Sequence, residues 1–437
     1  MGVERPPSVF PAQGKRKIMT VSYFLSPEWM IDGTGSPCRK NAAIGIQGET
    51  IVSIVDSTEI REKSQDDSFP RIVDLRGFTV LPCLVDSHVH LVMSGSNDPE
   101  VRERQLVSGY SEAGDRIQHH LQEHFRYGVL ALRDGGDRHG YTLRYRDNLS
   151  GPSRSPYVSA VFAGKAWHRE GRYGGLIGRV PLKSKGIAES VAREGDQSDV
   201  IKVVNSGLNS LREFGKQTLP QFGFQEFKDL WNMARRLEKK VMVHANGIEP
   251  VSIPVDAGCD SIEHGFFMGR ENLEKMAEKG IFWVPTAVTM EAYSRLMKDD
   301  AKISDIARRN LDHQLEQIRI ARECGVRTAM GTDAGSPGVD HGKAVIEEMK
   351  LFMDAGYSLE EAVMCATSAG ADLLGFTEIG QLKPGMNAGF LVVPGPPSKL
   401  PDSLESIQMI WRNGKMVYEK CAVTPDPSGD QNHRMDE

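Results

Sequence analysis

The chain has 437 residues, 39% hydrophobic and 26% charged, an ordinary balance for a soluble globular protein with room for two or three average domains. Its net charge of −6 gives no electrostatic footprint for nucleic acid, and no apolar run approaches the roughly 20 residues that span a bilayer. The six cysteines are dispersed without a Cys-x-x-Cys pair, which argues against a disulfide framework or zinc ribbon and for free thiols.

Residues 1–17 and 424–437 are polar, Pro-rich or charged and read as frayed tails. The first has no apolar signal-peptide core, and Pro6 stands where N-myristoylation needs Ser or Thr, so a cytoplasmic location is expected. From Met19 to Val80 the pattern is strand-like, and AAIGIQGETIVSIVD predicts a hairpin turning at Gln47-Gly48-Glu49. The middle of the chain alternates eight short apolar runs with amphipathic helical stretches. The runs are 81–91, 128–136, 157–165, 199–207, 240–247, 260–265, 281–288 and 327–335. The helical stretches include 110–127, 224–240, 303–325, 342–355 and 358–374, the third of them ending in Gly325. After Gln381 the β-like texture returns in FLVVPG and in SIQMIWRNGKMVYE, a hairpin with Asn413-Gly414 at its turn.

Strand–helix alternation repeated eight times predicts an α/β fold: a parallel (β/α)8 TIM barrel over 81–380, inserted into a small β-sandwich domain built from 18–80 plus 381–423. An open doubly wound sheet is the alternative. It usually carries a Gly-rich phosphate fingerprint after its first strand, and this chain has none.

Catalytic residues of such a barrel gather at the C-terminal ends of its strands. Six ligand-type side chains fall there in order. His88 and His90, two apart, share a face at the end of the first run, with Asp86 one layer deeper as a supporting partner. Lys202 lies between Ile201 and Val203 in a run too apolar for a surface strand. Burial disfavours its charged form, and the neutral amine takes up carbon dioxide to give a carbamate that can bridge two cations. His244 follows Met242, and His264 follows Ile262, on one face of the fifth and sixth runs, where neutral imidazoles suit zinc. Asp333, in Gly-Thr-Asp-Ala-Gly, ends the eighth run. His-x-His followed by Lys, His, His and Asp is the donor set of a two-metal hydrolytic site, so two Zn2+ bridged by a carboxylated Lys202 are the expected cofactor.

Together with MIDGTG (30–35), GFTVLPCLVDSHVH (77–90), QLKPGMNAGFLVV (381–393) and WRNGKMVY (411–418), this ordered set resembles the amidohydrolase superfamily from Ile31 to Tyr418. The branch it looks like is the imidazolonepropionase-related or Xaa-Pro-dipeptidase-like one. The resemblance implies His88 and His90 on the more buried metal, His244 and His264 on the other, and a carboxylated Lys202 between them. It also implies that Asp333 ligates the first metal and acts as base. Two positions depart from the pattern: Ala388-Gly389 stands where the family usually has Ala-Asp, and Asn246 near where the dipeptidase branch often has a second histidine.

The expected reaction is hydrolysis of an amide or peptide C–N bond in a small molecule, such as an N-acyl amino acid or a dipeptide. A hydroxide shared by the two ions attacks a carbonyl polarised by one of them, and Asp333 passes the proton to the leaving nitrogen. Substrate choice is expected from the loop AWHREGRYGGLIGR (166–179). There His168 donates to the carbonyl oxygen as charge develops, and Arg169, Arg172 or Arg179 holds a substrate carboxylate. Arg133 and Asp134 are expected to form a structural ion pair, and His119 and His120 to be solvated. Three alternatives stand beside this reading: a one-zinc deaminase, which leaves Lys202 without a purpose; a two-metal lactone or ester hydrolase; and a catalytically inactive barrel with a binding role. Neither nucleic acid nor a membrane is expected as a partner, and homo-oligomer formation is left open.

Overall fold

The computed structural model describes residues 21–64, 68–148, 157–183, 185–194 and 197–420; the tails expected at 1–17 and 424–437, and Cys421, lie outside the described residues. The N-terminal strands are β1 (Tyr23–Met30), β2 (Arg39–Lys40), β3 (Ala42–Gln47), β4 (Thr50–Asp56) and β5 (Arg71–Pro82). The chain then supplies β6 (Leu84–Val89), β7 (Val129–Asp134), β8 (Ser159–Phe162), β9 (Ala166–Trp167), β10 (Gly178–Arg179), β11 (Val200–Val204), β12 (Lys240–Ala245), β13 (Ser261–His264), β14 (Phe282–Val284) and β15 (Arg327–Thr328). It ends with β16 (Phe390–Pro394), β17 (Met409–Arg412) and β18 (Lys415–Glu419). Each of the eight apolar runs in the middle of the sequence holds a strand, and helices separate most of them, so the fold is mixed α/β.

The middle strands pair in parallel as two sheets, β6-β7-β8 and β9-β11-β12-β13-β14-β15, with the short β10 beside β9. Strands such as LVDSHV and VLALRD are buried at every position, as expected where both faces of a parallel sheet are covered. One face of β11, β12 and β13 packs Ile201, Val203, Val241, Val243 and Ile262 against the helices. The other face carries Val200, Lys202, Met242, His244, Ser261 and Glu263, by the two-residue period of a strand.

The helices are long enough, and striped enough, to cover those strands. Helix Phe224–Arg236 buries Phe227, Leu230 and Ala234, and Glu226 caps its start by accepting from Gly223 N at 3.1 Å. Helix Ala301–Cys324 begins at Asp300, whose carboxylate accepts from the Lys302 and Ile303 amides, and ends at Gly325 in the left-handed region (φ 75°). Its buried stripe includes two glutamines with a specific task. Gln314 Nε2 donates to His264 O at 2.6 Å and Pro285 O at 3.1 Å, and Gln317 Nε2 donates to Gly265 O at 3.3 Å. With Trp283 Nε1, which also donates to His264 O at 3.0 Å, they occupy carbonyls where β13 and β14 leave the ladder. The stretch expected as one helix over 358–374 is helical but interrupted by a π-type segment at Cys365–Ala369.

The terminal segments form one continuous mixed sheet in the order β18-β17-β16-β5-β1-β3-β4, where two facing sheets were expected. The twelve-residue β5 explains this, because it pairs with β1 along one edge and β16 along the other and so joins both terminal segments into a single ladder. Leu25, Ile44, Ile46, Val80, Phe390 and Val392 share a cluster on one face of this sheet. Both expected hairpin turns are present: Asn413 and Gly414 have φ of 50° and 69°, as a two-residue type I′ turn requires. The two tips touch, so that a Cβ on Gly414 would lie 1.9 Å from Gly48 O. Cys38, Cys83, Cys259, Cys324 and Cys365 are free thiols, and no helix among the described residues is long and apolar enough to cross a membrane.

Candidate active site

Six side chains from five elements converge at one end of the parallel strands. His88 belongs to β6 and His90 follows it; Lys202 is in β11, His244 in β12, His264 ends β13, and Asp333 lies beyond β15. Asp333 Oδ1 is 3.6 Å from His88 Nε2 and 3.3 Å from His90 Nε2, and the three ligand atoms all lie within 4.8 Å of one another. The His264 ring centroid is 5.0 Å from that of His88 and 4.5 Å from that of His244. The two histidine pairs therefore adjoin.

Hydrogen bonds on the far side of each ring decide which nitrogen faces inward. His88 Nδ1 is 2.7 Å from Glu263 Oε2, and His90 Nδ1 is 2.9 Å from Gly136 O. Both acceptors take a proton, so each ring turns an Nε2 lone pair toward Asp333. His244 is reversed: its Nε2 is 3.2 Å from Gly207 O, which leaves Nδ1 as the free nitrogen. His264 Nδ1 is engaged by Thr286 Oγ1 at 2.7 Å, and Nε2 is free. His88 Nε2, Lys202 Nζ and Asp333 Oδ1 are buried without a hydrogen-bond partner among the described residues. Buried polar atoms left unpaired are costly, and three at one point, beside further free imidazole nitrogens, fit a site for divalent metal. Gly135 leaves room for the two rings, since a Cβ there would meet His90 Cε1 at 2.8 Å and His88 Nε2 at 3.0 Å.

Electrostatics keep these groups ready to ligate. Burial, followed by the charge of Lys202, pushes His88 well below 6.5 and His244 down to about 3, and burial together with His244 does the same to His264. The imidazoles of His88, His244 and His264 are neutral at neutral pH, so the short contact of His88 to Glu263 is a hydrogen bond and not an ion pair. Burial lowers Lys202 to about 8 and raises Asp333. The backbone is strained at the same place. His264, Thr286 and Asp333 have φ of 67°, 50° and 58°, a region that non-glycine residues occupy at a cost of about 1–3 kcal/mol. Above these groups lies a cavity of about 290 Å3 with mostly apolar walls, including Leu106, Leu176, Ile177 and Met290.

Residues 79–418 match the profile of the amidohydrolase family. The chain belongs to the amidohydrolase family. Among its relatives is ochratoxinase of Aspergillus niger, 26% identical over 456 aligned positions that cover 95% of this chain and 90% of the relative. Imidazolonepropionase of Clostridium tetani is 22% identical, covering 87% of this chain and 91% of its own. A solved Xaa-Pro dipeptidase, with methionine bound in its active site, superposes with a TM-score of 0.75 at 25% identity over 91% of this chain and 100% of the other. This amidohydrolase is thus an enzyme, a hydrolase of C–N bonds.

Several side chains of the amidohydrolase stand elsewhere than the sequence suggested. Arg169 donates from Nε to Gln221 O at 2.7 Å and from Nη2 to Glu226 Oε2 at 2.6 Å, drawn off by the start of helix Phe224–Arg236. Arg172 Nη2 donates to Leu219 O at 2.7 Å, and Arg179 stacks over Trp167 at 4.1 Å. None of the three lines the cavity, and neither does His168, whose Nδ1 is 2.9 Å from Arg169 O and whose ring is wrapped by Gly174 and Gly178. From that loop the cavity receives Tyr173, Leu176 and Ile177. Asp86 supports His88 through its backbone and not its ring: it accepts from His88 N at 3.2 Å, and also from Thr332 Oγ1 at 2.6 Å and Thr332 N at 3.0 Å, tying β6 to the segment that carries Asp333. Arg133 and Asp134 do not pair, because adjacent strand residues face opposite ways. Arg133 pairs with Glu263 at 2.8 Å, while Asp134 accepts from Leu91 N and Gly136 N. His119 is exposed as expected, but His120 is buried and stacks on His341 with ring centroids 3.9 Å apart.

Glu263, outside the predicted set, also belongs to the site. It accepts from Arg133, from Ser261 Oγ at 2.5 Å and from His88, and so orients a ring that faces Asp333. The signal was present in Ser-Ile-Glu-His, a carboxylate inside a strand too short and apolar to be at the surface. His264 reaches the site for a reason that parity does not supply. Ile262 faces the helices and Glu263 the interior, so His264 turns inward only through its left-handed backbone.

Proposed function

We propose that this amidohydrolase cleaves an amide or peptide C–N bond in a small substrate, an N-acyl amino acid or a dipeptide, with two divalent ions of the zinc type. The observation that carries the reading is the set of buried unpartnered atoms, His88 Nε2, Lys202 Nζ and Asp333 Oδ1, beside the free nitrogens of His90, His244 and His264. His88, His90 and Asp333 would hold one ion, His244 and His264 the other, with Lys202 between. Divalent ions there supply Lewis acidity, polarising a carbonyl and lowering the pKa of a water.

The chain's own residues do the remainder. With Lys202 near 8, about a tenth of its amine is neutral at pH 7. The neutral nitrogen can bond to carbon dioxide and lose a proton, and the resulting carbamate would offer one oxygen to each ion. Ser336 Oγ donates to Asp333 Oδ2 at 2.9 Å and fixes the carboxylate with Oδ1 toward the histidines. Asp333 takes the proton of the attacking water and delivers it to the leaving nitrogen. The apolar walls of the cavity exclude bulk water and strengthen each of these contacts.

We read the parallel sheets as one (β/α)8 barrel. Hydrogen bonds across both seams support closure: Asp199 N to Phe162 O at 2.8 Å between β11 and β8, and Ser87 N to Met330 O at 2.8 Å with Asp333 N to His88 O at 2.7 Å between the last and first strands. The same reading takes 81–380 as the barrel and 18–80 plus 381–423 as a small β domain.

Asp333→Asn tests the assignment. Turnover should fall on the order of 10²- to 10⁴-fold while the metal content, by elemental analysis, stays at two ions per chain. Undiminished turnover removes Asp333 as the base, and one ion with an unmodified Lys202 favours deamination.

A further inference from the structure

Arg102 is a charged wall residue of the cavity that stands outside the metal-type cluster. It lies in helix Pro99–Val107, which follows the His88–His90 strand and starts at Asp98, whose carboxylate accepts from Glu100 N at 2.9 Å. None of that helix's side chains is fully buried, so its position depends on polar ties. Gln105 Oε1 accepts from Ser94 N at 3.0 Å, and Arg102 Nη1 donates to Ser94 O at 2.9 Å, Ser96 O at 3.3 Å and Gly335 O at 3.0 Å. Gly335 is two residues beyond Asp333, so the guanidinium is pinned beside the turn that carries the proposed base.

These ties use one nitrogen. Nε and Nη2 find no acceptor, and the guanidinium no carboxylate within 4.0 Å, among the described residues. A half-buried cation facing largely apolar walls with no carboxylate in hydrogen-bond reach is poorly compensated, and burial lowers Arg102 although Tyr293 and Asp333 act the other way. The remaining N–H edge is a planar fork that matches a carboxylate in two parallel hydrogen bonds. The arginines of the strand-3 loop are engaged with Gln221, Glu226, Leu219 and Trp167 and leave this task open.

We propose that Arg102 anchors the free carboxylate of the substrate, selecting N-acyl amino acids and dipeptides whose bulky apolar side chain packs on Leu106, Leu176, Leu208 and Met290. The inference rests on the amide-hydrolase reading for the reaction, while the anchoring itself is a matter of binding. One pinned nitrogen fixes the plane of the fork, and the apolar walls keep water from competing for it.

The probes are N-acetyl-L-phenylalanine and its decarboxylated counterpart N-acetylphenethylamine, tested on the holoenzyme, Arg102→Met and Arg102→Lys. Calorimetric binding of each is measured along with KM and kcat. The wild type should prefer the acid on the order of 10- to 100-fold. Arg102→Met should bind the acid no more tightly than its decarboxylated counterpart, with the loss appearing in KM, and Arg102→Lys should keep part of the preference. Binding of the decarboxylated amide by Arg102→Met shows that the pocket survives the lost ties to Ser94, Ser96 and Gly335. A preference retained in Arg102→Met, or equal weakening of both ligands, overturns the proposal. Hydrolysis of both amides without any wild-type preference also overturns it and leaves the amide-hydrolase reading standing. An Arg102-dependent binding preference without hydrolysis of either amide does the reverse.

Discussion

Replacing Glu263 by Gln separates the charge of a buried carboxylate from its shape. Glu263 and Arg133 are both buried, 2.8 Å apart, and Arg133 has no other carboxylate within 4.0 Å among the described residues. Removing one partner of such a pair leaves the other charge uncompensated and costs roughly 3–5 kcal/mol. The Gln oxygen still accepts from Arg133, so we expect a loss near the lower end, about 3 kcal/mol, in the metal-free protein. A second consequence reaches the site. With its oxygen on Arg133, Gln turns its NH2 toward His88 Nδ1, which must then accept. The proton moves to Nε2, the atom that faces Asp333, and affinity for metal should fall about 10- to 100-fold. Urea unfolding of metal-free wild type, Glu263→Gln, Arg133→Met and the double variant measures the first effect, and a metal competition titration the second. The double variant, with neither charge, should be more stable than the two single losses added together. An unchanged midpoint for Glu263→Gln, or strict additivity in the double variant, would refute the argument.

Lys202→Met should change how stability depends on pH. Between about 8 and 10.5 the unfolded chain holds a proton on Lys202 that the folded chain lacks, so metal-free wild type should gain stability relative to Lys202→Met as pH rises through that window. The Lys202 penalty below pH 8 is about 3 kcal/mol, so the stability of wild type relative to Lys202→Met should rise by about that amount across the window, the buried thiols Cys83, Cys259 and Cys365 acting equally on both; urea midpoints of both proteins at its two ends test it. Burial holds His120 at about 4 and His124 at about 3, so stability should fall as pH drops from about 6.5 toward those values, where only the unfolded chain is protonated. His120→Gln should reduce that acid slope, and an unchanged slope would show that His120 is not buried in its neutral form. Gly135→Ala puts a methyl against His88 and His90 and should lower activity on the order of 100-fold with little change in the unfolding midpoint of the metal-free protein; normal activity would mean that the rings have room to shift.

Local pattern carried much of this molecule. Apolar runs of strand length separated by helical stretches marked the alternation, and a ligand-type residue at the end of a run was enough to place His88, His90, Lys202, His244, His264 and Asp333 around one point. The Asn413-Gly414 turn was legible because only a few residue types accept its backbone angles. Charge partnership and the direction of loops were not legible in the same way. Glu263 meets Arg133 from 130 residues away, across the interior of the parallel strands. His264 and Asp333 turn into the site through left-handed backbone that Gln314 and the flanking carbonyls sustain. The arginines of residues 166–179 looked free in the sequence, but Gln221 and Glu226 claim Arg169, Leu219 O claims Arg172, and Trp167 lies under Arg179. Arg102, which carried no motif, faces the cavity instead. Periodicity is a property of neighbours along the chain, so sequence alone determined which residues lie at strand ends. Which donors and acceptors meet there is a property of neighbours in space, and only the tertiary structure decided it.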